Sequence, residues 1–170
     1  MAALDPHAWH DFFSVAGTAA AALLGLVLVA ISLRIEVVES HPVLRNRARS
    51  AILVLGGLLL ISLIALIPEI TALWFGLATL VLELGRIGMT GWGLVEAARS
   101  SPSGLPRSVW LRTTPNLLTL LSVGGAVSLL AGAGPGIYLI AAAFVLTMGP
   151  MLFSVWGLLF APEVRRSSRS

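Results

Sequence analysis

Long apolar runs separated by short polar segments dominate this chain. A transmembrane helix needs about 17–25 residues, and five runs meet that length, at 11–33, 51–67, 70–98, 115–131 and 136–160. Of the 170 residues, 57% are hydrophobic and 11% are charged, whereas a soluble domain has about 25% charged residues. The pattern therefore predicts an all-α integral membrane protein, with residues 1–170 forming a single transmembrane domain.

Two breaks in the apolar pattern predict tight turns. Pro68 disfavours helix at the residue before it, so that the run from 51 to 98 is divided into two spans. The segment 131–136 (AGAGPG) is rich in glycine and contains a proline, which is typical of a turn. Spans two and three, and spans four and five, are thus expected to form two helical hairpins.

The arginines predict the orientation of these spans. The chain has no lysine, so all eleven of its basic residues are arginine. Ten of them lie on one side of the predicted membrane: Arg34, Arg45, Arg47, Arg49, Arg99, Arg107, Arg112, Arg165, Arg166 and Arg169. Cytoplasmic segments carry such an excess, so we expect the N-terminus outside and the C-terminus inside. Residues 1–10 lack the basic region of a signal peptide, which predicts that the first span is retained.

The third span carries a stripe of small and polar residues on one helical face. Its members recur at alternating spacings of four and three: Ala72, Gly76, Thr79, Glu83, Arg86, Thr90, Gly93 and Ala97. Glu83 and Arg86 lie near the middle of the span, where an ionisable group costs at least about 2.5–3.5 kcal/mol. At a spacing of i, i+3 the two can form an ion pair that fixes helix packing or oligomer register. They can also line a path for an ion or small solute, or recognise lipid or a partner.

A weak internal similarity relates the two hairpins. A shift of 64 residues aligns the Trp-Gly-Leu sequence at 92–94 with the same sequence at 156–158. Because both hairpins start and end inside, this predicts a parallel repeat. The shift places Thr147 and Ser154 on the face of span five that corresponds to the polar stripe. The predicted polar interior or pore is therefore formed by Thr79, Glu83, Arg86, Thr90, Thr147 and Ser154.

Small residues mark faces where helices can approach closely. The predicted packing positions are Gly17, Ala21 and Gly25 in the first span and Gly76 and Gly93 in the third. For the first span, packing within one protomer and self-association are both open. Arg45, Arg47 and Arg49 form a basic cluster at the cytoplasmic start of span two, where contact with anionic lipid headgroups is expected.

The residues around the start of the first span resemble an interfacial aromatic anchor, formed by Trp9, Phe12 and Phe13. His7 and His10 have a spacing that could place two metal ligands on one helical turn, but a third fixed ligand is missing. We therefore expect no metal site here.

Several chemical classes are excluded by composition. With no cysteine there is no disulfide or thiolate metal site, and with no lysine there is no Schiff base to a carbonyl cofactor. No histidine lies within a span, which excludes haem held by two histidines inside the bundle. No Ser-His-acid set, pair of intramembrane carboxylates or phosphate loop is visible, so we expect no enzyme activity and no cofactor. The basic charge follows membrane topology, which argues against a nucleic-acid partner.

The N-terminal part resembles a known group of proteins over approximately residues 9–70. The positions that carry the resemblance are Trp9, Phe12, Phe13, Gly25, Ser32, Leu33, His41, Pro42, Arg45, Arg47 and Ala48. These residues are similar to those of uncharacterised small multi-pass membrane proteins that are frequent in actinobacteria. Some members carry an automatic label as modulators of a membrane protease. The resemblance implies a bacterial cytoplasmic (inner) membrane and supplies no catalytic residue.

Two functional hypotheses follow from these observations. The first is a homo-oligomeric, channel- or transporter-like protein whose path is lined by the polar face of span three. The second is a non-transporting accessory or regulatory protein that binds a partner, such as a membrane protease, or lipid. The expected surroundings are the bilayer, further copies of the chain and a membrane-protein partner.

Overall fold

The fold is described by a computed structural model, which covers residues 9–40, 42–99 and 108–159. These residues form one short helix and five long ones. In chain order they are α1 (His10–Leu33), α2 (Ile35–Ser40), α3 (Pro42–Ala65), α4 (Ala72–Arg99), α5 (Ser108–Leu130) and α6 (Gly136–Leu159). The described part of the chain is therefore all-helical, as the apolar pattern predicts.

Four helical segments within the described residues are long and apolar enough to cross a membrane. They are His10–Leu33, Leu44–Ala65, Ala72–Met89 and Gly136–Phe153. The apolar part of α5, Leu118–Leu130, is shorter than a full span. The membrane class of the protein follows from the four longer segments, and the fifth span stays a prediction.

The loop between spans one and two differs from the expectation. It contains the short helix α2, and α3 begins at Pro42, nine residues before the predicted span. Proline is favourable at the first helical position because its fixed φ suits the helix and its missing N–H is not needed there. The length of an apolar run indicates only the membrane-embedded part of a helix, so the polar first turns of α3 were not predicted.

Both predicted turns are present. After Ala65 the chain turns through Pro68 before α4 begins, and Glu69 has a φ of 59°. Between α5 and α6 the turn contains Gly132 with a φ of 68°. The left-handed region suits glycine and strains a residue with a Cβ, so the first turn carries strain that the second avoids.

The long helices pack side by side in a closed order. α3 contacts α1, α4 and α6, while α5 lies between α4 and α6, and α6 returns to α1. The α5–α6 hairpin is held especially close. A Cβ atom built on Gly125 would lie 2.7 Å from the carbonyl oxygen of Gly136, and one built on Gly136 would lie 2.7 Å from the carbonyl oxygen of Gly125.

Phe13 belongs to the core and not to an interfacial anchor. Its side chain is fully buried, and its ring lies 5.5 Å from that of Phe75 on α4 and 5.8 Å from that of Phe144 on α6. The prediction was wrong for Phe13 because it assigned the aromatic cluster by its position in the chain. Trp9 sits at the start of α1 and contacts Tyr138 with ring centroids 4.7 Å apart.

The predicted repeat of hairpins is not confirmed. Gly57 of α3 corresponds in sequence to Gly125 of α5 if the turn of the second hairpin is four residues shorter, but the two have different neighbours. A Cβ on Gly57 would lie 3.8 Å from Cδ of Arg86, far from the turn, whereas one on Gly125 would meet residues at the start of α6.

Candidate functional site

Three polar residues lie at the same depth on neighbouring helices. Glu83 of α4, Thr119 of α5 and Thr147 of α6 are each eleven residues from the helix end next to a hairpin turn. At a rise of about 1.5 Å per residue, each is about 16 Å from that end. For α4 and α6, which contain span-length apolar segments, this distance corresponds to the middle of a hydrocarbon core about 30 Å thick. All three side chains are buried.

An ion pair occupies this level. Nε of Arg86 donates a hydrogen bond to Oε2 of Glu83 at 2.8 Å, and Nη2 lies 2.8 Å from the same oxygen. The Glu83 side chain is 5% exposed and that of Arg86 is 11% exposed. Nη2 of Arg86 also donates to Oγ1 of Thr119. The pair neutralises its charge within α4 and ties that helix to α5.

A small cavity lies beside the ion pair, where four helices meet. Its lining includes Gly57 of α3, Glu83 and Arg86 of α4, Ser122 of α5 and Thr147 of α6. The volume open to the centre of a water-sized sphere is about 10 Å³. A cavity of about 10–15 Å³ by this measure holds one water molecule. The site can therefore accommodate a single water inside one protomer.

The hydroxyl groups around the cavity differ in their hydrogen bonding. Oγ1 of Thr147 donates to the carbonyl oxygen of Ala143 at 2.6 Å, which leaves its own lone pairs free to accept. Oγ of Ser122 at the cavity is buried and finds no hydrogen-bond partner among the described residues, and the same holds for Oγ1 of Thr79, which lies one turn before Glu83 and outside the cavity lining. A buried hydroxyl without a partner costs about 1–3 kcal/mol. The site thus has unused hydrogen-bonding capacity.

The polar face of α4 packs against α5. A Cβ built on Gly76 would lie 3.1 Å from Cβ of Leu129 and 3.2 Å from the carbonyl oxygen of Ala126. One turn further into the membrane Thr79 is buried, and another turn further Glu83 reaches the cavity. The described part of the predicted stripe, from Ala72 to Arg86, is therefore a helix-packing surface inside the protomer.

The structure brings together three of the six residues predicted for the polar interior. Glu83, Arg86 and Thr147 line the same cavity, and Thr79 is buried on the same face of α4. Thr90 of α4 and Ser154 of α6 lie on these helices, but their side chains are outside the described part of the structure.

Sequence reasoning missed the contribution of α5 and α3. Thr119 receives a hydrogen bond from Arg86, and Ser122 and Gly57 line the cavity. A signal for two of them is present, because Thr119, Ser122 and Ala126 recur at spacings of three and four on one face of α5. No comparable spacing in the sequence of α3 indicates that Gly57 lines the cavity.

The predicted packing positions of α1 divide into two groups. Gly17 is buried, and a Cβ at this position would lie 2.8 Å from Cβ of Ser62 on α3. Ala21 is exposed, and a Cβ on Gly25 would have nothing within 4 Å among the described atoms. Each step of four residues turns by about 40° beyond a full helical turn, so this series leaves the face that packs on α3. Among the described residues, packing within the protomer therefore accounts for Gly17 and not for Ala21 or Gly25.

The remaining predicted positions lie away from the cavity. Gly93 is part of α4, but its surroundings are outside the described part of the structure. Arg45 and Arg49 are exposed in the first turns of α3, where lipid headgroups could reach them, and the side chain of Arg47 is likewise outside that part.

The chemistry of the site favours water, a proton or a small polar group. It combines one carboxylate, one guanidinium and several hydroxyls. Divalent cations prefer several oxygen ligands with more than one carboxylate, and the guanidinium of Arg86 would repel them. The described residues around Glu83 therefore do not form a metal centre.

Comparison with known proteins identifies no family to which this chain is similar. No protein-family model, no curated protein and no solved structure matches the chain.

Proposed function

We propose that the protein is a channel- or transporter-like membrane protein in which an ion or small solute passes the Glu83–Arg86 pair. The observation that carries the proposal is the convergence of this pair with hydroxyls from α5 and α6 on one cavity at mid-depth. Ionisable residues inside a membrane mark substrate and ion paths because their cost needs a compensating role. The path runs through one protomer, since the polar face of α4 points into the bundle.

The path is closed in this conformation. The cavity accommodates a single water, and Arg86 bridges from Glu83 to Thr119 across it. Passage of anything larger requires α4 and α5 to separate or Arg86 to swing away. The proposed parallel repeat would assign Thr147 to the position that Glu83 holds in the other hairpin, so that each hairpin would supply one wall.

The proposal includes five spans with the N-terminus outside and the C-terminus inside. α5 lies between α4 and α6, which both contain span-length apolar segments. Its 23 residues would extend about 34 Å, enough to cross. The distribution of arginines supports the orientation, and the resemblance to actinobacterial proteins supports a bacterial inner membrane.

Flux into proteoliposomes tests the proposal. Wild-type protein is expected to carry an ion, a proton or a fluorescent solute. Glu83→Gln and Arg86→Gln are each expected to change the rate of this flux at least about tenfold, because each leaves the charge of its buried partner uncompensated. Glu69→Gln is the matched control, because Glu69 is exposed in the α3–α4 turn. Wild-type vesicles that pass none of these species would refute a transport function.

Association of several copies belongs to the same proposal. Gly25 of α1 and Gly85 and Gly88 of α4 lie on exposed faces, and a Cβ on any of them would have nothing within 4 Å among the described atoms. Small residues facing outward allow a second helix to approach closely. Gly25→Leu is expected to shift the protein to a smaller species in detergent, measured by light scattering, while Leu28→Ala on the same exposed side of α1 leaves the mass unchanged. Equal masses for all three proteins would contradict this interface.

An accessory protein without transport remains the alternative, favoured by the same outward small-residue face of α1. In that case the face binds a different membrane protein, such as a protease, and the ion pair only fixes helix packing. This alternative predicts a stoichiometric partner that co-purifies with wild type and is lost with Gly25→Leu. It also predicts that Glu83→Gln changes no flux.

A further inference from the structure

We infer that the species that crosses this site is the proton, relayed by one water molecule held beside the Glu83–Arg86 pair. The inference rests on the proposed transport function and names its substrate. It starts from the size of the cavity, which has room for about one water centre. A hydrated cation, a hydrated anion or an organic solute is larger than the space between the four helices, whereas a proton needs only a continuous line of hydrogen bonds.

The lining supplies the partners that a buried water requires. Such a water typically makes two to four hydrogen bonds. The hydroxyl of Ser122 is buried at the cavity, and the structure gives it no partner among the described residues. The hydroxyl of Thr147 is already a donor to Ala143, so it accepts. The carboxylate of Glu83 completes the set as the acceptor of a water proton.

A second buried hydroxyl lies between the cavity and the outer turn. Thr79 lies four residues before Glu83 on the same helix face, about 6 Å nearer the outer turn. Its Oγ1 is also buried without a partner among the described residues. A hydroxyl both donates and accepts, and Thr79 is the next buried hydroxyl on this face of α4 in the direction of the outer turn.

The charges at the site select against other ions. The guanidinium of Arg86 repels Na⁺ and K⁺ as they approach Glu83, and the carboxylate of Glu83 repels chloride as it approaches Arg86. A proton instead binds covalently to Glu83. The water, carrying the extra proton as hydronium, breaks one O–H bond and the carboxylate forms one, which leaves neutral water and a neutral carboxyl group. Arg86 keeps its hydrogen bond to Thr119 during this step.

Ion selectivity of the wild-type protein is the first test. Proteoliposomes contain a pH-sensitive dye, and a potassium diffusion potential set by valinomycin drives proton entry. Parallel vesicles measure the fluxes of Na⁺, of chloride and of an uncharged fluorescent solute. Proton entry without the other fluxes is the expected result. Flux of an ion or solute without protons would overturn the inference and leave the transport function standing. No flux of any species would overturn both.

Two variants test the water site itself. Thr147→Val keeps the shape of the side chain and removes its oxygen, and Ser122→Ala removes the unpartnered hydroxyl. Each is expected to lower proton flux about tenfold, the factor that corresponds to losing one hydrogen bond of about 1.4 kcal/mol. Thr18→Val is the matched control, because Thr18 is exposed on α1 and bonds only the carbonyl oxygen of Ser14 in the described structure. Unchanged proton flux in both site variants would overturn the relay.

Discussion

Alanine substitutions at two adjacent glycines of α5 should have opposite effects on stability. Gly124 and Gly125 differ only in the side of the helix on which they lie. A Cβ on Gly124 would have nothing within 4 Å among the described atoms, whereas a Cβ on Gly125 would lie 2.7 Å from the carbonyl oxygen of Gly136 and 2.8 Å from Cγ1 of Ile140. The pair therefore separates helix propensity from helix packing.

The magnitudes follow from these distances. Real Cβ atoms essentially never approach another heavy atom to less than 3.0 Å, and backbone oxygen cannot rotate away as a side chain can. Gly125→Ala must therefore push α5 and α6 apart, and overpacking of this kind costs about 1–3 kcal/mol. Gly124→Ala meets no obstacle and gains about 0.5–1 kcal/mol from the reduced flexibility of the unfolded chain. The two variants should differ by about 1.5–4 kcal/mol.

Reversible unfolding in detergent measures this difference. Wild type, Gly124→Ala and Gly125→Ala are titrated with denaturant under identical conditions, and helix content is followed by circular dichroism. Gly136→Ala should repeat the loss of Gly125→Ala, since its Cβ would lie 2.7 Å from the carbonyl oxygen of Gly125. A Gly125→Ala protein as stable as Gly124→Ala would refute the close contact between α5 and α6.

Three further predictions concern the ion pair, a turn and the α1–α3 contact. Glu83→Gln and Arg86→Gln should each lower the free energy of unfolding by about 3–5 kcal/mol, and the loss in the double variant should be smaller than the sum of the two single losses. Additive losses in a denaturant titration would contradict an interaction between Glu83 and Arg86. Gly132→Ala should lower the free energy of unfolding by about 1–2 kcal/mol, because the φ of Gly132 is 68°. Gly134→Ala is the control in the same turn and should leave the melting temperature unchanged, since a Cβ there has nothing within 4 Å among the described atoms. Equal melting temperatures for the two variants would argue against the left-handed turn. Gly17→Ala should lower the free energy of unfolding by about 1–3 kcal/mol, since its Cβ would lie 2.8 Å from Cβ of Ser62 on α3. A melting temperature equal to that of wild type would contradict this contact.

Much of the fold could be predicted because membrane-spanning helices are specified by a simple physical requirement. Each must be apolar for the thickness of the bilayer, so the ends of α1 and α6 lie within a few residues of the predicted bounds. Pro68 and the glycine-rich segment 131–136 predicted both turns. The polar start of α3 at Pro42 and the short helix α2 were missed, since helices outside the bilayer need no apolar run.

The site was predictable in part for a related reason. The polar face of α4 was visible because Glu83 and Arg86 interrupt an apolar span, and ionisable groups are conspicuous there. The hydroxyl of Thr119 gave a weaker signal, because a threonine in a membrane helix can bond its own backbone without a partner helix. Which helix faces another depends on close approaches such as Gly125 to Gly136, and these depend on contacts between segments that the sequence does not pair.

Stability alone gives a poor reason for the polar groups around Glu83. Replacing a buried ion pair with well-packed apolar residues is often neutral or stabilising by about 1–4 kcal/mol. Ser122 and Thr79 add buried hydroxyls without partners among the described residues, each at a cost of about 1–3 kcal/mol. A bundle selected only for packing would replace these groups with alanine, valine or leucine. Their cost is offset if a water and a proton use them during transport, because the same hydroxyls that lack partners in this closed conformation then become donors and acceptors along the path.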